Sequence, residues 1–199
     1  MNAATTQVGL DEYVAEIERR GGETAIWTGK SKRNLEPVPL QIYARRDGFV
    51  LLRVTGWRFY SKAYGSRLAT LAYLCGEDDN GPWAVRIPAT VTTIADALTW
   101  LTPAAVHKAL KAGRRVLRQG DVYAIEMRRD SWGDGLTEAG ELPPVEVFPS
   151  HLWDIRRRVL VHKSRDGRPH ADLSVPFPCR FVQQRVYRMG RSGRRGAGD

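Results

Sequence analysis

Residues 158–175 read RVLVHKSRDGRPHADLSV, in which two alternating segments flank a short polar stretch. Alternation with a period of two indicates strands, and a glycine in the polar stretch indicates a turn, so an antiparallel β-hairpin is predicted. Two registers compete. A two-residue Asp166-Gly167 turn pairs Val161 with Asp172, whereas a three-residue Arg165-Asp166-Gly167 loop pairs Val161 with Ala171. We favour the second register because it places the apolar side chains on one face. These are Val159, Val161, Ala171, Leu173 and Val175.

The opposite face of this hairpin carries most of the candidate chemistry. The favoured register sets His162 directly across from His170, and it adds Arg158, Leu160, Asp172 and Ser174 to the same face. In a phosphodiester-acting enzyme, His162 and His170 would serve as acid and base, Asp172 would orient one imidazole, and Arg158 would stabilise the phosphorane charge. With His151 or Asp172 as a further ligand, the cluster would instead hold a divalent metal. The alternative without chemistry is a solvated sheet face.

Charge is distributed unevenly along the chain. The 199 residues carry a net charge of +9, and the segment from residue 151 onward holds twelve Lys and Arg against four Asp and Glu. That segment therefore accounts for +8 of the total, and residues 1–150 are almost neutral. A pI near 9.9 makes nucleic acid the leading class of partner, followed by an anionic membrane surface or an acidic protein. We assign the basic side chains of Arg156, Arg157, Lys163, Arg185 and Arg188 to this contact.

Residues 56–67 interleave aromatic and basic side chains, as GWRFYSKAYGSR. Aromatic rings stack on bases while Arg and Lys meet phosphates, so this mixture is typical of surfaces that contact single strands. The structural alternative is a strand whose aromatic residues pack a core. The candidate nucleic-acid contacts here are Trp57, Arg58, Tyr60, Lys62, Tyr64 and Arg67.

Two short helices are predicted in the middle of the chain. Thr93 and Asp96 have the spacing of a capping box, Pro103 opens a second helix, and Gly113 ends it. A strand–turn–strand over 116–127 follows, and this order is similar in outline to winged helix-turn-helix DNA-binding proteins. The resemblance, which covers about 35 residues, implies nucleic-acid contacts from the second helix and the start of the wing. These contacts would be Lys108, Lys111, Arg114 and Arg115.

We expect an α+β fold, mostly antiparallel β-sheet, with an N-terminal helix over 10–20 and the central helix pair. An α+β domain is predicted over 1–129, an acidic Gly/Pro linker over 130–144, a basic β section over 145–189 packed on the first domain, and a disordered Gly/Arg tail over 190–199.

Two cysteines without a CxxC pair predict neither a structural zinc site nor a disulfide framework, and suit a reducing cytosol. We expect no cofactor, no signal peptide and no membrane association.

Three functions remain open at this stage. The first is a nucleic-acid-binding protein that grips the DNA or RNA backbone. The second is the nuclease-like enzyme built on His162, His170, Asp172 and Arg158, although the sequence contains no motif that names an enzyme class. The third is an assembly protein that docks an acidic partner. A cytoplasmic location would suit all three.

Overall fold

The structure is a computed structural model that describes residues 9–28, 36–61, 65–78, 81–127, 145–163 and 170–185. Three helices lie in these residues: α1 (Leu10–Arg19), α2 (Ile94–Leu101) and α3 (Ala104–Lys111). The strands of the same residues are β1 (Ala25–Thr28), β2 (Glu36–Pro39), β3 (Gln41–Arg46), β4 (Phe49–Ser61), β5 (Gly65–Asp78), β6 (Gly81–Arg86), β7 (Val116–Gln119), β8 (Val122–Glu126), β9 (Val145–Phe148), β10 (His151–Asp154), β11 (Val159–His162), β12 (Leu173–Ser174) and β13 (Cys179–Gln183).

These strands form antiparallel sheets in the orders β1-β2, β3-β4-β5-β6, β13-β8-β7 and β12-β11-β10-β9. The predicted α+β class, with its N-terminal helix, central helix pair and antiparallel hairpins, is confirmed. None of the three helices is long and apolar enough to cross a bilayer, as far as the described residues go.

The chain divides into two compact units between Leu101 and Thr102. Unit 1 contains α1, β1–β6 and α2, and unit 2 contains α3 and β7–β13. The helix and hairpin of 104–126 thus belong with the strands that follow residue 144. The predicted linker at 130–144 and tail at 190–199 lie outside the described residues, so the boundary proposed there stays a prediction.

Unit 1 is organised around the long β4–β5 ladder, which pairs Val50 with Cys75 at one end and Ser61 with Gly65 at the other. Because side chains alternate along a strand, the ladder has two apolar faces. One face includes Leu52 and Tyr73 and packs against α1 and β1. The other face includes Leu51 and packs against α2. Both faces are therefore covered near the middle of the sheet, which explains why unit 1 has two apolar clusters.

Local sequence signals set the ends of the elements in unit 1. Asp47 and Gly48 both have positive φ, of 50° and 79°, and they form the tight turn between β3 and β4, for which Asp-Gly is a strong sequence signal. The predicted capping box is present: Thr93 Oγ1 donates to Asp96 Oδ2 at 2.7 Å and accepts from Asp96 N–H at 3.0 Å. Such short-range interactions need no tertiary partner, which is why the sequence predicts them.

Unit 2 has three layers. The middle sheet, β13-β8-β7, turns one face toward α3, where Tyr123 and Ile125 pack against Val106 and Ala109 of the helix. Adjacent strand positions point the other way, and there Ala124 packs with the outer sheet β12-β11-β10-β9 and its flanking segment. Trp153 of β10 and Phe181 of β13 meet across this interface, with ring centroids 5.1 Å apart. The outer sheet is thus held by its inner face.

The favoured register of the β11–β12 hairpin is wrong. In the structure Val159 pairs with Ser174 and Leu160 with Leu173, which is the register of the two-residue turn. The loop itself, with Asp166 and Gly167, lies outside the described residues. The prediction weighed the hairpin in isolation, whereas in unit 2 the middle sheet decides which face is buried. Leu160, assigned to the polar face, is fully buried, and Ala171, assigned to the apolar face, is exposed.

Candidate functional site

Three histidines form a row on the inner side of the outer sheet. His151, the first residue of β10, pairs directly with His162, the last residue of β11, and their ring centroids are 4.7 Å apart. The ring of His170, which precedes β12, lies 5.0 Å beyond that of His162. The backbone N–H of His170 also donates to Nδ1 of His162 at 3.3 Å. The predicted contact between His162 and His170 is therefore present, but His151 and not His170 is the strand partner of His162.

His151 is the most buried member of the row. Its side chain is only 2% exposed, and neither ring nitrogen has a hydrogen-bond partner among the described residues. Burial lowers the pKa of this imidazole below its ordinary value of 6.5, and His162 and His170 lower it further, whereas Asp121 opposes them. His151 is consequently a neutral ring at neutral pH.

The far end of the row rests on the turn between β7 and β8. Gly120 has a positive φ of 54°, and a β-carbon built there would lie 2.8 Å from Nε2 of His170. The turn is fixed from both sides: Gln119 Nε2 donates to the carbonyl oxygens of Leu160 and Ala171, at 3.2 and 2.5 Å, and Asp121 Oδ2 accepts from Gln183 at 2.7 Å. The histidine row therefore connects the outer sheet to the middle sheet.

The four residues predicted as catalytic are not brought together. Arg158 precedes β11 and His162 ends it, so about 13 Å of strand separates the two positions. Asp172 is exposed and its carboxylate lies 3.7 Å from the guanidinium of Arg157. Only His162 and His170 are in contact with each other. The described residues contain no group of three or more His, Cys, Asp or Glu arranged to hold a metal ion.

The two cysteines are not candidate nucleophiles. Cys75 is fully buried in unit 1, and burial raises its pKa far above the ordinary range of a thiol. Burial also raises the pKa of Cys179 to about 11. Since the thiolate is the reactive form, burial favours the unreactive thiol form of both side chains at neutral pH. Both cysteines are free thiols in the structure.

The turn between β10 and β11 presents three consecutive exposed arginines, Arg156, Arg157 and Arg158. Arg157 is held by Asp154, whose Oδ1 accepts its backbone N–H at 3.0 Å and whose Oδ2 lies 3.9 Å from its guanidinium. Arg156 and Arg158 have no ion pair with any described residue. Arg158 has a positive φ of 51°, and its carbonyl oxygen accepts from Val175 N–H at 2.8 Å. The turn is thus fixed by its backbone, and its cationic groups face solvent.

The basic residues predicted on the second helix and wing divide into two kinds. Lys108 and Lys111 are exposed in the last turn of α3, where cations also stabilise the helix terminus. Arg114 and Arg115 are instead engaged within unit 2. Arg115 binds the Glu126 carboxylate at 2.6 Å and lies over the ring of Phe177 at 4.4 Å, and Arg114 donates to the Glu126 carbonyl. α2 belongs to unit 1 and α3 belongs to unit 2. The two helices of the predicted winged helix-turn-helix are therefore in different compact units.

Trp57 is the one described side chain of the predicted aromatic-basic segment. It is 54% exposed and pairs across the β4–β5 ladder with Leu68, which is 62% exposed. The side chains of Arg58, Tyr60 and Arg67 lie outside the described residues, as do Lys62 and Tyr64 entirely. Two other candidates, Lys163 and Arg185, are exposed in unit 2, and Arg188 is outside the described part of the chain.

The two units differ in charge. The described residues of unit 2 include eleven Lys and Arg against five Asp and Glu, whereas those of unit 1 include eight against ten. The positive charge that the sequence places toward the C-terminus is therefore shared by α3 and the β7–β8 hairpin.

No protein-family model, curated protein or solved structure matches the chain.

Sequence reasoning missed the part of the site that lies before residue 145. The strand–turn–strand pattern of 116–127 predicts only a turn at Gln119, Gly120 and Asp121, yet these residues support the histidine row. A glycine between two polar residues indicates a turn but does not indicate what the turn contacts. Nothing in the local sequence indicates that a histidine fifty positions away would lie against it.

Proposed function

We propose that the chain binds the phosphate backbone of a nucleic acid through unit 2. The observation that carries the proposal is the β10–β11 turn, where Arg156, Arg157 and Arg158 are exposed in succession. Guanidinium groups make paired hydrogen bonds to phosphate oxygens. Because the backbone of this turn is already fixed, the turn loses little conformational entropy when its arginines bind phosphate.

The contacts that Arg157 already makes do not prevent phosphate binding. Its distances to Asp154 and Asp172 are 3.9 and 3.7 Å, and its side chain is 63% exposed. Exposed ion pairs of this kind contribute about 0–1 kcal/mol, because water and salt screen them. A phosphate can therefore replace either carboxylate as the partner of Arg157.

Charge over the rest of unit 2 supports the same ligand. Lys108, Lys111, Lys163, Arg180 and Arg185 are all exposed, in addition to the arginine turn. Contacts to phosphates fix the position of a protein on nucleic acid but carry no sequence information. The proposed activity is accordingly sequence-independent binding of DNA or RNA, driven by the release of counterions.

The geometry gives less support to the enzyme hypothesis. The arginine assigned to the phosphorane is at the opposite end of β11 from His162, and Asp172 faces Arg157. We therefore place binding first.

The test is an equilibrium titration of the full chain into fluorescently labelled single-stranded DNA, duplex DNA and RNA, read by anisotropy. Between about 50 and 200 mM salt the logarithm of the binding constant should fall linearly with the logarithm of salt concentration. Scrambled sequences should bind equally well. Absence of binding at low salt, with binding to polyglutamate retained, would assign the basic surface to an acidic protein instead.

A further inference from the structure

The histidine row is unusual because it concentrates three titratable rings where the two sheets of unit 2 meet. His151 and His162 belong to the outer sheet, and His170 lies against Gly120 of the middle sheet. Successive ring centroids are 4.7 and 5.0 Å apart, with interplanar angles of 32° in both pairs. Neutral imidazoles stack well at this spacing, but imidazolium ions at the same spacing repel one another.

A carboxylate opposes the lowering of the His151 pKa. Asp121 is the carboxylate that acts on His151, and its Oδ2 already accepts from Gln183. Gln119 of β7 and Phe148, the β9 partner of His151, are uncharged.

Two basic residues adjoin the row in sequence or in space. Lys163 follows His162 directly, and the Arg118 guanidinium donates to the carbonyl oxygen of Gly120 at 2.7 Å. The acids Asp154 and Asp172 both lie beside Arg157.

We propose that the row of His151, His162 and His170 is an acid-sensitive latch between the two sheets of unit 2. At neutral pH the uncharged ring of His151 stacks on that of His162, and His170 joins the row to the β7–β8 turn. When the pH falls below the ordinary range of histidine, protonation of the buried His151 ring favours an opened state in which that ring meets water. The outer sheet then separates from the turn, while unit 1 stays folded because the described residues of unit 1 include no histidine.

Histidine pH titration by NMR on the wild-type full chain tests the first step. We expect at least one ring of the row to titrate below the ordinary value of about 6.5. His107, in α3 and outside the row, is assigned by the His107→Gln variant. Ordinary titration of all four histidines would overturn the proposal.

Hydrogen exchange measured by mass spectrometry tests the second step. Below pH of about 6.5, the opening constant of segments 145–163 and 170–185, corrected for the intrinsic exchange rate, should rise by up to about tenfold per pH unit for each proton taken up. Segment 36–61 of unit 1 is the internal control and should show no such rise. An equal response of the two units would contradict the latch.

The variants His151→Phe and His107→Gln separate the row from other histidines. Phenylalanine keeps an aromatic ring in the row but cannot take up a proton. The opening constant of the unit 2 segments should therefore rise less steeply with falling pH, by the amount that one proton contributes. His107→Gln removes a titratable group elsewhere in unit 2 and should leave the response unchanged. A full wild-type response in His151→Phe would overturn the proposal. Should that variant fail to fold, the wild-type titration and exchange experiments still decide the question.

Discussion

His151 lies directly opposite His162 across the β10–β11 ladder, with ring centroids 4.7 Å apart and with His151 only 2% exposed. A buried polar side chain without a protein partner normally lowers stability, since its desolvation is not repaid by a hydrogen bond. Its presence at the junction of two sheets therefore distinguishes this pair from an ordinary core contact. Two consequences can be measured at a pH where the row is neutral.

The first prediction concerns His151 at pH 8. His151→Phe should leave the free energy of unfolding unchanged or raise it by up to about 2 kcal/mol, because the ring remains and the unpartnered nitrogens are removed. His151→Ala should lower it by about 2–4 kcal/mol, because a cavity forms. Urea unfolding of both variants measures the difference. An equal, large loss in both would show that the ring nitrogens make a stabilising interaction.

The second prediction concerns the contact between Gly120 and His170. Gly120→Ala should lower the free energy of unfolding by about 2–4 kcal/mol, because it adds a left-handed alanine and a close contact with the imidazole. Gly113→Ala is the matched control, since its φ is 68° but no atom lies within 4 Å of the added carbon. That control should lose about 1–2 kcal/mol. In a His170→Ala background, Gly120→Ala should cost no more stability than Gly113→Ala does, because the close contact is gone. Equal losses at the two glycines in the wild-type background would refute the contact.

The third prediction concerns Glu16 in α1, a buried carboxylate that accepts hydrogen bonds from Arg19 and Arg20. Although burial alone would raise its pKa, these bonds outweigh burial and lower the pKa below the ordinary value of 4.5. Glu16→Gln should lower the free energy of unfolding at pH 7 by about 1–3 kcal/mol. Glu18→Gln is the control on the same helix, because an amide oxygen can still accept from Thr24, and it should change stability by less than about 0.5 kcal/mol.

The pH dependence of the Glu16 effect has a definite sign. A carboxyl whose folded-state pKa is lowered contributes stability above its unfolded pKa and loses it as the pH falls through the folded value. The difference between wild type and Glu16→Gln should therefore be constant above about pH 5 and shrink below about 4.5. A difference that stays constant down to pH 3 would mean that the carboxylate charge contributes nothing.

The sequence predicts features whose cause is local. The Asp47-Gly48 turn and the Thr93–Asp96 capping box each depend on a few neighbouring residues, and both are present. The β11–β12 register depends instead on Leu160, which the middle sheet buries, and hairpin alternation alone pointed to the wrong pairing.

The candidate site shows the same limit. The contact of His162 with His170 was predicted from a single hairpin, whereas the pairing of His162 with His151 needs β10, and the support of His170 needs Gly120. Long-range placement of this kind follows from the packing of layers, which the residue pattern of one hairpin does not contain. The exposure of Trp57 on the β4–β5 ladder likewise depends on which part of that ladder α2 covers.

The most direct test of phosphate binding by unit 2 compares two double variants that remove equal charge from exposed β-turn regions. Arg156→Gln/Arg158→Gln changes the β10–β11 turn, and Arg45→Gln/Arg46→Gln changes the end of β3 in unit 1. The measurement is the slope of the logarithm of the DNA-binding constant against the logarithm of salt concentration. We expect the slope of the first variant to be smaller in magnitude by about 2, with affinity reduced alike for every sequence, and that of the second to equal wild type. Equal slopes for wild type and both variants would contradict the account.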